Sequence, residues 1–220
     1  MVKIDPDGYK ISGIFLVFAV LIYVCYYFTE LSVFSWIFWV FCLISVFSVC
    51  FFRDPERKGP EDKRAVVSAA DGVVVDVSHV KAEGFEGGKA LRIAVFMNIF
   101  NVHVNRSPFT GRAIKTEHRR GRKFPALNKR AEYENEYGDT DIETSAGLVR
   151  VRQIAGIIAR RVVTRIKVGD ILERGDRIGI IRFGSRVDVF LPLALKPVAA
   201  KGDRVRAGET VIARPGDSEK

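Results

Sequence analysis

Hydrophobic positions fall into two regimes along this chain. From Ile11 to Phe28 (ISGIFLVFAVLIYVCYYF) and from Leu31 to Phe52 (LSVFSWIFWVFCLISVFSVCFF) no charged residue breaks the apolar run. At about 1.5 Å of rise per helical residue, each run comes close to or exceeds the roughly 30 Å of a bilayer's hydrocarbon. Only Thr29-Glu30 separates them, so the pattern predicts a helical hairpin that returns the chain to its starting side. A shallow hairpin that does not cross is the rival reading. Beyond residue 52 the pattern changes to short apolar runs and alternation, which is the signature of strands.

Arg53 to Arg64 (RDPERKGPEDKR) has charge and proline but no apolar period, and reads as a linker between an anchor over residues 1–52 and a domain over 65–220. Ala65 to Val80 reads as two short strands joined by a tight turn at Asp71-Gly72. Lys89 to Gly111 reads as a long buried strand followed by a polar loop. Helical signal in this part is confined to about Pro125 to Tyr137, with weak periodicity. Near the end, GDILERGDRIG from Gly169 and GDRVRAGETVI from Gly202 repeat a Gly-Asp turn, a second glycine six residues later and an aliphatic strand. Each copy reads as a hairpin. The expected fold is mainly β, a flattened barrel or sandwich whose halves resemble those of lipoyl-carrier-like domains, behind an N-terminal helical hairpin.

Charge then orients the anchor. Lys3 and Lys10 precede the hairpin and Arg53, Arg57 and Lys58 follow it, so both ends are expected on the cytoplasmic side of the cell membrane. A cleaved signal peptide fits less well, because the first apolar run leads into a second without a small-residue cleavage pattern. The formal net charge is +9, most visibly in EHRRGRKFPALNKR from Glu117 to Arg130. That run is either a plain solvated loop or, beside a membrane anchor, a surface for anionic headgroups; nucleic acid is a distant third. Cys25, Cys42 and Cys50 all lie in the apolar runs as small packing residues, so neither a disulfide framework nor a metal cluster is expected.

Candidate chemistry centres on RFGSRVDVFLP, Arg182 to Pro192. Alternation puts Phe183, Ser185, Val187, Val189 and Leu191 on one face and Arg182, Arg186 and Asp188 on the other. A serine on the apolar face is either a packing spacer or a shielded nucleophile. Asp71 is either a turn former before Gly72 or a functional carboxylate. His103 is either a strand-end side chain bonded to backbone or a base. His79 and His118 read as surface residues.

The stretches FFRDPER, SAADGVVV, NVHVNRSPFTG, RQIAGIIARRVV and RFGSRVDVFLP, in that order from Phe51 to Pro192, make the chain resemble phosphatidylserine decarboxylase proenzymes of the short bacterial and archaeal form. Several are weak alone; their order behind a membrane hairpin is specific. The resemblance implies self-cleavage between Gly184 and Ser185, conversion of Ser185 to a covalent pyruvoyl group, and decarboxylation of phosphatidylserine to phosphatidylethanolamine. The ketone would condense with the substrate amine and accept the electrons left when carbon dioxide departs. It also implies that Asp71 and His103 assist, forming a triad with Ser185, and that the product is a heterodimer of the two chains. Arg106 stands where long-form relatives carry a second histidine, and is a candidate for a substrate carboxylate or phosphate. An archaeal relative would act on the ether-lipid analogue. A non-catalytic membrane-tethered carrier or adaptor with a lipoyl-like sandwich is the rival class, although the lysine such carriers modify is not evident at the turn between the repeats.

Overall fold

A computed structural model describes residues 2–128, 130–156, 161–181 and 185–216. The chain forms two compact units, Met1–Glu56 and Arg57–Lys220. In the first, strand β1 (Val2–Ile4) leads into helices α1 (Pro6–Thr29) and α2 (Ser32–Phe51), and β2 (Arg53–Pro55) pairs back on β1. Asp5 caps α1 by accepting from the Asp7 amide at 3.0 Å, and Pro6 occupies the first turn, where a missing amide hydrogen costs nothing. With 24 and 20 residues, the helices are about 36 and 30 Å long. Both are therefore long and apolar enough to cross a membrane. Ser12 and Ser45 hydrogen-bond across the pair, hydroxyl to hydroxyl at 2.8 Å, a polar contact suited to an environment that offers no water. Tyr27, Phe28, Trp36 and Trp39 stand exposed around the helix connection, an aromatic composition common at membrane interfaces. Of the three cysteines read as small packing residues, Cys42 is half-buried, while Cys25 and Cys50 are exposed on the helix surfaces.

The second unit is mainly β. Its strands are β3 (Val66–Val67), β4 (Gly72–Lys81), β5 (Lys89–Met97), β6 (Val104–Arg106), β7 (Gly111–Arg119), β8 (Tyr137–Thr144), β9 (Gly147–Ala155), β10 (Val162–Thr164), β11 (Ile171–Leu172), β12 (Arg177–Ile181), β13 (Ser185–Leu191), β14 (Leu195–Pro197), β15 (Arg204–Val205) and β16 (Val211–Pro215). An eight-stranded antiparallel sheet runs β11-β7-β8-β9-β13-β5-β4-β15, accompanied by two three-stranded sheets, β10-β12-β6 and β14-β16-β3. One face of the large sheet carries Leu91, Ile93, Val95, Val149, Val151, Val187, Val189 and Leu191 into the main core. The predicted helix over about 125–137 reduces to the single turn α3 (Ala131–Glu134). The Asn135 side chain ties this segment to the sheet, donating to Phe124 O at 2.8 Å and Ala155 O at 2.7 Å.

The repeats are real, but they are not hairpins. In each copy the first strand (β11 or β15) forms one outer edge of the large sheet, while the second (β12 or β16) is the central strand of a small sheet. The turn between them makes this transfer, with Gly175 at φ 93° and Gly208 at φ 75°, where side-chain-bearing residues are strained. The Gly175 and Gly208 amides donate to Ser107 O and Ser68 O, both at 2.9 Å. The preceding amides complete the correspondence: Arg174 N donates to Thr110 Oγ1 at 3.1 Å and Ala207 N to Asp71 Oδ1 at 2.8 Å. Likewise β3 and β4 belong to different sheets, so Asp71-Gly72 is a crossover and not a hairpin turn. A Cβ at Gly72 would stand 2.1 Å from the Phe96 carbonyl oxygen, so this close approach requires glycine.

The charged stretch from Arg53 to Arg64 is held along most of its length. Arg53–Pro55 is strand β2, and the Arg174 guanidinium donates to the carbonyls of Pro60, Asp62 and Ala65. Peptide carbonyls there satisfy a cation that would otherwise be desolvated.

Candidate active site

Ser185 opens β13, which is hydrogen-bonded to β5 on one side and β9 on the other, with Ser185 opposite Met97 and Ala155. It shares the core face with Val187, Val189 and Leu191, as alternation requires, and is fully buried. Phe183, Gly184 and Arg182 lie outside the described residues, as does Ile157 to Arg160 of the RQIAGIIARRVV stretch. The hydroxyl donates to Met97 Sδ at 3.4 Å, and a thioether is a weak acceptor. The same sulfur accepts from Asn105 Nδ2 at 3.6 Å. Asn105 Oδ1 accepts from Gln153 Nε2 at 2.7 Å, and Gln153 Oε1 accepts from Thr164 at 3.0 Å. A buried polar chain thus runs through the layers next to Ser185, every link satisfied.

The opposite face of β13 is equally buried and carries charge. Arg186 donates to both Asp188 oxygens at 2.6 and 2.5 Å, and Glu132 of α3 bonds both Arg186 and Arg92. Burial pushes the Asp188 carboxyl up, against the lowering pull of Arg186. Such pairs add little net stability, but they fix register: a one-residue slip would turn Arg186 and Asp188 into the apolar core. The Ser185 position is therefore specified from both faces of its strand.

His103 precedes β6 and is fully buried. Its Nδ1 lies 3.0 Å from the Asn101 carbonyl oxygen. A carbonyl only accepts, so Nδ1 carries the proton and, in the neutral ring, Nε2 keeps its lone pair. The register brings His103 to the Ser185 end of the sheet. The Ile181 amide donates to His103 O at 3.4 Å from the last residue of β12, four positions before Ser185.

Asp71 lies at that end too, one residue before β4, whose Val73 pairs with Phe96, itself paired with Arg186. Its two oxygens are engaged by the Ala207 amide and by Arg57 Nη2, the latter at 2.7 Å. Burial pushes this carboxyl above its ordinary value, against the lowering effects of the Ala207 amide and Arg57. Arg57 also reaches Glu209 at 3.1 Å and is only 8% exposed. Arg106 is buried, its amide donating to Ala69 O at 2.9 Å and its Nη1 to Gly175 O at 2.8 Å. His79 is exposed, and His118, also exposed, pairs with Glu136.

Sequence reasoning used FFRDPER only as a family marker and missed that its last residue, Arg57, holds Asp71. It also missed Asn105 and Gln153. Gln153 carried a readable signal, since it is the polar member of the inward series Val149, Val151, Gln153, Ala155.

The family model described as phosphatidylserine decarboxylase matches residues 44–213. A protein from Pelobacter propionicus named phosphatidylserine decarboxylase proenzyme is 47% identical over 178 residues, covering 80% of each chain. One of the same name from Oleidesulfovibrio alaskensis is 42% identical over 216 residues, covering 96% of this chain and 94% of its own. A third, from Citrifermentans bemidjiense, is 45% identical over 174 residues, 79% of each chain.

Proposed function

The chain belongs to the phosphatidylserine decarboxylase family and is a carboxy-lyase, and from that premise we propose that it is a proenzyme that cuts itself between Gly184 and Ser185 and then converts phosphatidylserine to phosphatidylethanolamine. The observation that carries this reading is the burial of the Ser185 hydroxyl at the start of a strand fixed on both sides. A hydroxyl sealed from solvent is reachable by its own chain, which suits attack on the preceding carbonyl. Bonded to a thioether, it gives up little by leaving its resting partner.

In the proposed cut, Ser185 Oγ adds to the Gly184 carbonyl carbon and the Gly184–Ser185 C–N bond breaks, leaving an ester and a free amine. His103 Nε2 takes the hydroxyl proton and returns it to the departing nitrogen. The Asn101 carbonyl stabilises the ring while it is charged, the role a carboxylate fills in other triads. Asp71 acts as a positioning residue, binding Arg57 and the Ala207 turn. Loss of the residue 185 α-proton then expels the Gly184 carboxylate, and hydrolysis of the resulting enamine releases ammonia. The pyruvoyl group so formed supplies an electron sink for decarboxylation of an amino acid. Arg106, three residues after His103 and held by Gly175 O, is the candidate cation for the headgroup's phosphate or carboxylate.

The surroundings fit a group at position 185. β13 is paired with β5 from Ser185 to Leu191 and with β9 from Ser185 to Phe190, so a break before Ser185 leaves the new terminus in place. The same downstream chain contributes β15 to the large sheet, through β4, and β16 to a small one, through β3. The two chains therefore remain one folded heterodimer without a covalent link.

The hairpin is proposed to cross the cell membrane with the β unit on the cytoplasmic side, from the flanking cations. Cyanoborohydride added with phosphatidylserine should fix the lipid to the chain that begins at residue 185, with activity lost in step. Label confined to the upstream chain would overturn the assignment.

A further inference from the structure

The register of the large sheet places the exits of β5, β7 and β9 at one end. Arg119, Tyr137, Ile154, Arg186 and Phe96 form one row across it, and Ser185, Met97 and Ala155 lie one residue beyond. From this end emerge the turn after β5 and the segment after β7. The turn is a built feature. Asn98 N donates to Asn101 Oδ1 and Phe100 N to Asn98 Oδ1, both at 2.9 Å, and Asn101 N donates to Asn98 O at 3.0 Å. This polar frame holds Ile99 and Phe100 outward, 37% and 72% exposed, and the carbonyl of Asn101 holds the His103 ring. The segment after β7, from Arg119 to Arg130, contains six cations and no acidic residue. Arg119, Arg120, Arg122, Lys123 and Arg130 are all exposed, and Leu127 among them is exposed too.

We propose that this end of the sheet docks directly on an anionic lipid surface, with Ile99 and Phe100 entering the interface and the cations from Arg119 to Arg130 binding headgroups around them. Large apolar side chains held out at the same sheet end as a cationic run, of which Arg122 pairs with Glu134 at 3.3 Å, match a bilayer, which offers hydrocarbon below a negative surface. A protein partner would need shaped contacts, and a nucleic acid would gain nothing from an aliphatic tip. The inference rests on the decarboxylase reading and deepens it: substrate then enters at the rim of Ser185 without leaving the membrane, and the docked turn is the one that orients His103.

The test uses the full-length protein and two substrates, phosphatidylserine in anionic vesicles and a short-chain phosphatidylserine below its micellar concentration. The double variant Ile99→Ser, Phe100→Ser should cut itself like the parent and keep turnover of the monomeric lipid within about twofold. On vesicles it should lose on the order of tenfold or more, since an interfacial aromatic and an aliphatic anchor are both removed. Neutralising Arg119, Arg120, Arg122 and Lys123 to Gln should give the same split, and salt should reproduce it in the parent. Independently, Phe100→Trp in a Trp36→Phe, Trp39→Phe background should shift to the blue on vesicles and be quenched by brominated lipid. Unchanged vesicle turnover in the serine variant, or an unquenched Trp at 100, overturns the docking proposal and leaves that face to a protein partner, while the decarboxylase reading stands. A cleaved parent inactive on both substrates would instead sink the decarboxylase reading.

Discussion

Replacing Arg57 by Met isolates the contribution of a single buried guanidinium. The side chain keeps its length and loses two charge-assisted bonds, 2.7 Å to Asp71 and 3.1 Å to Glu209. Each such bond is worth about 1.5–3 kcal/mol, and breaking a buried pair from one side costs about 3–5 kcal/mol. Two features reduce the loss. The Ala207 amide still holds Asp71 Oδ1, and burial, which already raises this carboxyl, favours its neutral form and so lessens the cost of leaving it without Arg57. A net destabilisation of about 2–4 kcal/mol follows, and at about 2–4 °C per kcal/mol for a unit of this size the melting temperature falls by roughly 5–15 °C. Self-cleavage should slow by on the order of tenfold or more, because Asp71 no longer holds the Ala207–Gly208 turn in one place. Thermal melting and densitometry of the two chains on denaturing gels measure both effects. Arg57→Lys, which keeps a charge but loses the fork that bridges two carboxylates, should fall between. An Arg57→Met protein that melts within a degree of the parent and cuts at the parental rate would refute the reasoning.

Ser185→Ala should remain a single chain and stay folded, since the lost bond is to a thioether and costs less than about 1 kcal/mol; two fragments from this variant on a denaturing gel would reject the serine as nucleophile. For Asp71, the raised carboxyl pKa means that the folded state holds a proton more readily than the unfolded chain, so ionisation costs stability and that cost vanishes as pH falls through the folded value. Asp71→Asn removes that ionisation cost but leaves the buried Arg57 with Glu209 as its carboxylate partner, so at pH 7 it should melt below the parent but by less than Arg57→Met, while parental self-cleavage declines on the acid side around a midpoint above the ordinary carboxylate value. An Asn variant that cuts like the parent would leave Asp71 as a turn cap only. Reporters fused at residue 30 and at the carboxyl terminus should report opposite sides of the membrane; both on the cytoplasmic side would mean a shallow hairpin.

What the sequence made legible was whatever depends on local period. Two uncharged runs are helices, Ser185 shares its face with Val187, Val189 and Leu191, and the Gly-Asp repeats are structural equivalents. Pairing partners were not legible, because Gly175 and Gly208 send each copy from one sheet to another through backbone hydrogen bonds to the Ser107 and Ser68 carbonyls, about 70 and 140 positions away in the chain. The helix expected near residue 130 failed for a similar reason: Asn135 bonds Ala155 O instead of extending a helical turn. In the site, the local alternatives for Asp71 and His103 were not exclusive. Asp71 does cap a turn and His103 does bond backbone, and the same bonds leave one carboxylate oxygen for Arg57 and one ring nitrogen basic. The contact that fixes the His103 tautomer is made by a backbone carbonyl, which no side-chain pattern can announce.

The central claim is that the chain makes its own electron sink at residue 185. Intact-mass measurement of the purified protein tests it most directly. Two species are predicted: residues 1–184, and the 36 residues from position 185 to Lys220 bearing a ketone in place of the serine amine and hydroxyl, and resistant to Edman sequencing. A single 220-residue mass in a preparation that decarboxylates phosphatidylserine, or a downstream chain that begins with unmodified serine, would contradict it.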